Sequence, residues 1–150
     1  MEGSSLTRVE RGQQLVVERV GRYVLDASVA VTALTEPGSG AADLLADTDA
    51  FFQAPSIFDV EVVSALRGLV TGGKYDRTAA GELIADLIIL PVERWHTSSL
   101  LPRIWELREN LTPCDAAYVA LAEMTGATLL TGDERITAAP ATRCEIRIIK

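Results

Sequence analysis

The sequence predicts an α/β protein, a three-layer α/β/α sandwich around a central parallel sheet of four to five short strands. Apolar runs of about four residues alternate with stretches of helical period. The runs are leucine-rich and β-branched without strict alternation, as in strands covered on both faces. Helix-length segments separate them, which suits right-handed crossovers between parallel neighbours. The 150-residue length fits one domain with a sizeable core.

Residues 1–21 are polar and irregular, and are expected to form a flexible N-terminal extension to a domain spanning 22–150. Tyr23-Val24-Leu25 reads as a first strand ending at Asp26. Ser28, Ala30, Val31, Ala33 and Leu34 then follow at helical spacing, and Glu36-Pro37-Gly38 stops that helix. Ala41–Ala46 predicts a short helix and Phe51-Phe52-Gln53 a second strand. Pro55-Ser56 opens a longer helix from Ile57 to about Val70, closed by Thr71-Gly72-Gly73. An amphipathic helix is expected over Thr78–Ile88, and Leu90-Pro91-Val92 as an edge-type strand. Thr97–Leu107 is helical by pattern. Thr112-Pro113 starts a helix running to Met124, which Gly126 caps. Thr128–Thr131 predicts a fourth strand, Glu134–Ala138 a short helix and Ile146–Ile149 a last strand.

Composition removes several classes of function. A formal charge of −7 does not suit a protein that coats nucleic acid by net positive charge, although a local basic patch remains compatible with it. One histidine and two cysteines cannot make a four-ligand Cys/His zinc site. Cys114 and Cys144 make no disulfide framework, so a reducing cytoplasm is expected. Apolar runs such as Leu87–Leu90 are far short of the roughly 18 residues that span a bilayer, so no membrane is expected. His96 has no Asp or Asn arrangement around it. A Cys–His nucleophile is therefore not expected; Cys114 reads as a small buried thiol and His96 as a surface residue. Trp95, Leu100, Leu101, Ile104 and Trp105 read mostly as helix core.

In parallel α/β folds, functional groups collect beyond the carboxyl ends of the strands. Asp26 ends the first strand and Asp133 follows the fourth. Each acid also has a structural explanation. Asp26 and Asp133 suit helix N-caps, and Thr112-x-x-Asp115 matches a capping box. Glu61 neighbours Ile57, Ser64 and Ala65 at helical spacing, a face expected to pack on the sheet. A carboxylate there needs a partner, a metal or a place at the rim. Gathered together, such acids raise one another's pKa unless a cation sits among them. Hard oxygen ligands suit Mg²⁺ or Mn²⁺, which activate water and neutralise a phosphodiester.

Val24-Leu25-Asp26-Ala27-Ser28, Glu61-Val62-Val63-Ser64-Ala65-Leu66, Asp115-Ala116-Ala117-Tyr118-Val119-Ala120-Leu121-Ala122-Glu123 and Leu130-Thr131-Gly132-Asp133 resemble, in order, the four motifs of the PIN-domain family. They are most similar to those of the VapC toxins of bacterial toxin–antitoxin pairs. The resemblance implies a Mg²⁺- or Mn²⁺-dependent endoribonuclease whose catalytic metal ligands are Asp26, Glu61, Asp115 and Asp133. It implies that Ser28 and Thr131 order the site, that the RNA is tRNA or ribosomal RNA, and that the chain forms a homodimer. A VapB-like antitoxin would hold it inactive, inserting a basic side chain among the acids. Cys114 stands where the family often has an aromatic residue, and Ser64 where it often has asparagine. Arg67, Lys74 and Arg77, around the Gly72-Gly73 turn, are possible RNA contacts, with a solvated turn as the plainer reading.

A non-toxin PIN-type nuclease for RNA processing is the neighbouring alternative. From another class, a receiver-like module lacks support, because the first strand has no paired acids and Lys150 is the last residue. An Asp-x-Asp phosphatase is disfavoured by Ser28 in the second acid position. A binding scaffold whose acids merely cap helices is the remaining alternative.

Overall fold

The computed structural model describes residues 20–150. The extension expected over 1–21 thus lies, but for its last two residues, outside the described residues. The first strand, β1 (Gly21–Leu25), leads through helices α1 (Ala27–Thr35) and α2 (Gly40–Leu45) to β2 (Ala50–Pro55). Helices α3 (Phe58–Thr71) and α4 (Arg77–Ile89) connect to β3 (Val92–Trp95). A 3-10 turn (Ser98–Leu100), α5 (Leu101–Glu106) and α6 (Pro113–Thr125) precede β4 (Thr128–Thr131), and α7 (Glu134–Thr137) precedes β5 (Ile146–Ile148).

The five strands are all parallel, in the order β3-β2-β1-β4-β5. The chain builds outward from β1 on one side through β2 and β3, then returns to add β4 and β5 on the other. The strand order therefore switches between β1 and β4, where the crossovers diverge and leave a crevice at the carboxyl edge. Leu25 is in register with Leu130, and the Asp26 N–H donates to the Leu130 carbonyl at 2.9 Å. The chain thus leaves β1 locked to the end of β4.

α1 packs with α2, α3 and α4, whereas α6, backed by α5, crosses β1, β2 and β4 on the other face. The sequence of α6 explains its central place. Ala116 through Ala122 are all buried, because repeated alanines let a helix sit close against the strands while Tyr118, Val119 and Leu121 fill the gaps. Gly126 ends it at φ 68°, a left-handed conformation that glycine adopts without a Cβ penalty.

The structure moves two expected elements, both at prolines. Pro91 has no N–H for a ladder, so the edge strand begins at Val92 and runs to Trp95. The helix expected over Thr97–Leu107 divides into the 3-10 turn and α5, with Pro102 in the first turn of α5, where a missing N–H costs nothing. Leu100 is buried as expected, but Leu101 and Trp105 face solvent. Trp105 is 68% exposed and carries the Arg108 guanidinium 4.5 Å from its ring centre.

Candidate active site

Asp26 takes the N-cap position of α1, yet its side chain makes no capping hydrogen bond. The carboxylate instead accepts from the Ser28 hydroxyl at 2.6 Å and the Thr131 hydroxyl at 2.7 Å, both on Oδ2. Asp26 is only 7% exposed. The two hydroxyls are themselves anchored, because Ser28 Oγ accepts the Gly132 N–H at 3.0 Å and Thr131 Oγ1 accepts the Asp133 N–H at 3.0 Å. A cap would have satisfied the start of α1. This carboxylate is fixed instead by two hydroxyls at Oδ2.

Glu61, in the first turn of α3, accepts from the Tyr118 hydroxyl at 2.8 Å. The face of α3 expected to pack on the sheet is corrected here: Ser64 and Ala65 are exposed. The large apolar residues at i, i+4 and i+8, namely Phe58, Val62 and Leu66, take the core instead, and Glu61 stands half-buried at its margin. Asp115 lies in the first turn of α6. Thr112 Oγ1 accepts the Asp115 N–H at 3.3 Å, so the capping half of the motif forms, and among the described residues the Asp115 carboxylate itself accepts no hydrogen bond.

Asp26, Glu61 and Asp115 are close enough to act on one another. Burial lifts the Asp26 carboxyl above its ordinary range against the two hydroxyls, and the charge of Asp115 lifts it further. Burial likewise raises Glu61 against the Tyr118 hydroxyl, with Asp26 and Asp115 adding to the rise. Tyr118 is pushed up by burial, Glu61 and Asp26, so it remains a donor. Among the described residues, no lysine or arginine forms an ion pair with any of these three acids.

Asp133 is placed differently. It N-caps α7 through the Arg135 N–H at 2.9 Å, and the Arg135 guanidinium lies 2.7 Å from Oδ2. That contact holds its carboxyl below the usual range. The Asp133 main chain adjoins Thr131, but its side chain is engaged with arginine and not with the other acids. Arg67, Lys74 and Arg77 form no ion pair with these acids among the described residues. Lys74 borders the C-terminal end of α1 beside Thr35 and Glu36. That is one helix length, about 13 Å, from Asp26 at the other end.

One further expectation changes. Cys114 is exposed, because the first turn of α6 projects from the sheet before the buried stretch begins. Its thiol is pushed up by burial of part of the side chain and by Glu61 and Asp115, which leaves it a poor nucleophile. Tyr118 was not singled out as a site residue. Its position three residues after Asp115, on the same helix face, was the available signal. Arg135 was overlooked because it sits in a short segment without helical period.

The donor chemistry fits a hard divalent cation: carboxylate oxygens with no ion-paired base among the described residues. In their present placement, no group of three or more Asp, Glu, His or Cys side chains among the described residues is arranged to hold an ion. An ion would have to draw the acids inward against their mutual repulsion.

Fold and site together define a parallel α/β sandwich with an acidic centre at the switch point of its sheet. The family model described as PIN domain matches residues 23–141, and the chain belongs to the PIN-domain family. Ribonuclease VapC1 of Mycobacterium tuberculosis is 37% identical over 129 residues, covering 85% of this chain and 97% of that protein. Ribonuclease VapC12 of the same species is 35% identical over 126 residues, covering 84% and 98%. Among solved structures, VapBC2 from Rickettsia felis, bound to a DNA fragment from its promoter, superposes with a TM-score of 0.62 at 16% identity, covering 86% of this chain and 99% of that one. No helix among the described residues is long and apolar enough to cross a membrane.

Proposed function

We propose that the protein is an endoribonuclease that uses Mg²⁺ or Mn²⁺ to hydrolyse RNA, and that it acts as the toxin of a toxin–antitoxin pair. The observation that carries the reading is the set Asp26, Glu61 and Asp115, whose charges act on one another, with the Asp26 and Glu61 carboxyls raised and no ion-paired base among the described residues. Such a set is electrostatically unfavourable until a cation joins it. The names of the M. tuberculosis relatives supply the reaction class.

Asp26, Glu61 and Asp115 would hold the ion, with Asp133 as a further ligand once its side chain is released. Bound there, a divalent ion supplies an activated water and neutralises charge on the scissile phosphodiester. The chain's own residues do the positioning. Ser28 and Thr131 fix one oxygen of Asp26 and so aim the other. Tyr118 fixes Glu61. Asp115, free of hydrogen bonds among the described residues, can adjust to an incoming ligand. Donors that hold metal ligands in place in this way tune metal affinity by about 10- to 100-fold.

The RNA is expected to be tRNA or ribosomal RNA. A VapB-like antitoxin is the expected inhibitor of a homodimeric, cytoplasmic toxin, since a basic side chain inserted among unpaired acids would be strongly bound. Incubation of the purified chain with bulk tRNA and ribosomal RNA tests the activity. Cleavage with Mg²⁺ or Mn²⁺ that stops in excess EDTA is the expected result, and undiminished cleavage in EDTA would overturn the mechanism. Growth arrest on expression, relieved by the product of an adjacent gene, tests the toxin role.

A further inference from the structure

A polyanionic substrate approaching unpaired acids needs a cation close by, and a chain of charge −7 has few to spare. Arg135 stands at that place. Its side chain is 89% exposed, yet it is held: Nε lies 3.0 Å from Asp133 Oδ1 and a terminal nitrogen 2.7 Å from Oδ2. Its charge also acts on Asp115, the acid without hydrogen bonds among the described residues. Between the two residues opens a cavity of about 220 Å³, which Asn110, Leu111, Thr112 and Ile136 line with Asp115 and Arg135. An arginine forms one wall and an acid of the proposed metal site another.

Exposed ion pairs are weak and easily exchanged, and a guanidinium fork fits a phosphate as well as it fits a carboxylate. The Asp133 main chain does not need to move for such an exchange. Its N–H is tied to Thr131 Oγ1 at 3.0 Å, and Thr131 in turn donates to Asp26 at 2.7 Å. Only the Asp133 side chain has to turn once the guanidinium lets go, giving up the Arg135 N–H it caps at 2.9 Å.

We propose that Arg135 is an exchangeable clamp: in the free protein it holds the Asp133 carboxylate aside, and in the complex it takes a backbone phosphate of the RNA seated in this cavity and releases Asp133 to the acidic centre. The proposal rests on the ribonuclease reading and adds to it a phosphate subsite and a reason for substrate to complete the ligand set. No covalent step is involved, since one ion pair replaces another.

Two measurements on the full chain test it. Binding of bulk tRNA is followed by fluorescence anisotropy over a range of KCl, in an Asp26→Asn background to prevent cleavage. Arg135→Gln is expected to weaken binding about tenfold and to lower the slope of log K against log salt by about one. Arg135→Lys should keep the slope but recover only part of the affinity, because the fork is lost. Separately, Mn²⁺ is titrated calorimetrically into the RNA-free chain with Asp26 intact. Arg135→Gln is expected to bind Mn²⁺ at least threefold more tightly, since Asp133 no longer has a charged competing partner and keeps only the main-chain N–H of residue 135. RNA binding with an unchanged slope overturns the clamp while leaving the ribonuclease reading intact, as does unchanged Mn²⁺ affinity. Failure of every chain, including the one with native Arg135, to bind RNA overturns the ribonuclease reading and the clamp with it. Circular dichroism confirms that the exposed substitutions leave the fold in place.

Discussion

α6 carries a largely buried acidic neighbourhood at each end, and the two are built on opposite terms. Near its C-terminal end, Glu123 is 12% exposed and meets Arg103, itself 19% exposed, at 2.7 Å. A second Arg103 nitrogen lies 3.2 Å from Glu123 Oε1, which also accepts the Arg143 N–H at 2.8 Å. Although burial is the largest single influence and works against it, this carboxyl ends below its ordinary range because Arg103 and Arg143 together outweigh the desolvation. At the N-terminal end, Asp26, Glu61 and Asp115 have hydroxyl partners at most and no base among the described residues, and burial raises Asp26 and Glu61. A carboxylate placed to hold a fold together is matched by a cation. The acids of the proposed ion site are instead oriented by neutral donors and form no ion pair among the described residues.

The contrast can be broken at either end. Asp26→Asn and Asp115→Asn are expected to lower RNA cleavage by at least about 10³-fold, since each removes a ligand charge. The ligand-free Asp26→Asn chain should be as stable as the parent or about 1 kcal/mol more stable, because the Ser28 and Thr131 hydroxyls still find an acceptor and the repulsion is gone. Urea unfolding checks this. Glu123→Gln should do the reverse, costing about 1 kcal/mol after allowance for partial exposure, because Arg103 loses its more buried counter-charge and keeps only the exposed Glu106. Cleavage per folded molecule should stay within about twofold of the parent.

Smaller effects sharpen the same distinction. Thr131→Val removes the donor to Asp26 and the acceptor for the Asp133 N–H at once. It is expected to cost about 1–3 kcal/mol of stability and about 10- to 100-fold in metal affinity, measured by unfolding and by Mn²⁺ titration. Tyr118→Phe, which removes only the hydroxyl on Glu61, should weaken Mn²⁺ binding by about tenfold and change stability by less than about 1 kcal/mol.

Acidity should separate the two ends by sign. Asp26 and Glu61 sit above their ordinary values of 3.8 and 4.5. The folded state thus holds their protons longer than the unfolded chain does, and their contribution to stability falls as pH rises from those values through the raised ones. Glu123 sits below its ordinary 4.5. It contributes stability that is present above that value and lost as pH falls through the lowered one. Unfolding free energies of Asp26→Asn and Glu123→Gln, each compared with the parent from pH 4 to 8, should therefore diverge in opposite directions.

The fold was legible because local signals agreed with one another. Glu36-Pro37-Gly38, Thr112-Pro113 and Gly126 bound their helices where the sequence placed them, and Thr128–Thr131 is a strand to the residue. The shifts occurred at Pro91 and Pro102, where the missing N–H decides between two registers that hydrophobic pattern alone leaves equivalent. The acids were legible as types at strand and helix ends. Which neighbours they would have was not. Tyr118 reaches Glu61 across a sequence separation that no local pattern encodes, and Arg135 turns to Asp133 within a four-residue helix too short to show a period. Cys114 was expected inside because of its residue type, but the first turn of α6 lies ahead of the buried run, and position outweighs type there.

The central claim is that the N-terminal set of acids is completed by a cation and the C-terminal set already has one. Thermal unfolding with and without millimolar Mn²⁺ tests it most directly, because a ligand that binds only the folded chain raises the midpoint. The parent and Glu123→Gln should each gain several degrees, and the double variant Asp26→Asn, Asp115→Asn should gain less than one degree. An equal gain in the double variant, or none in the parent, would contradict the account.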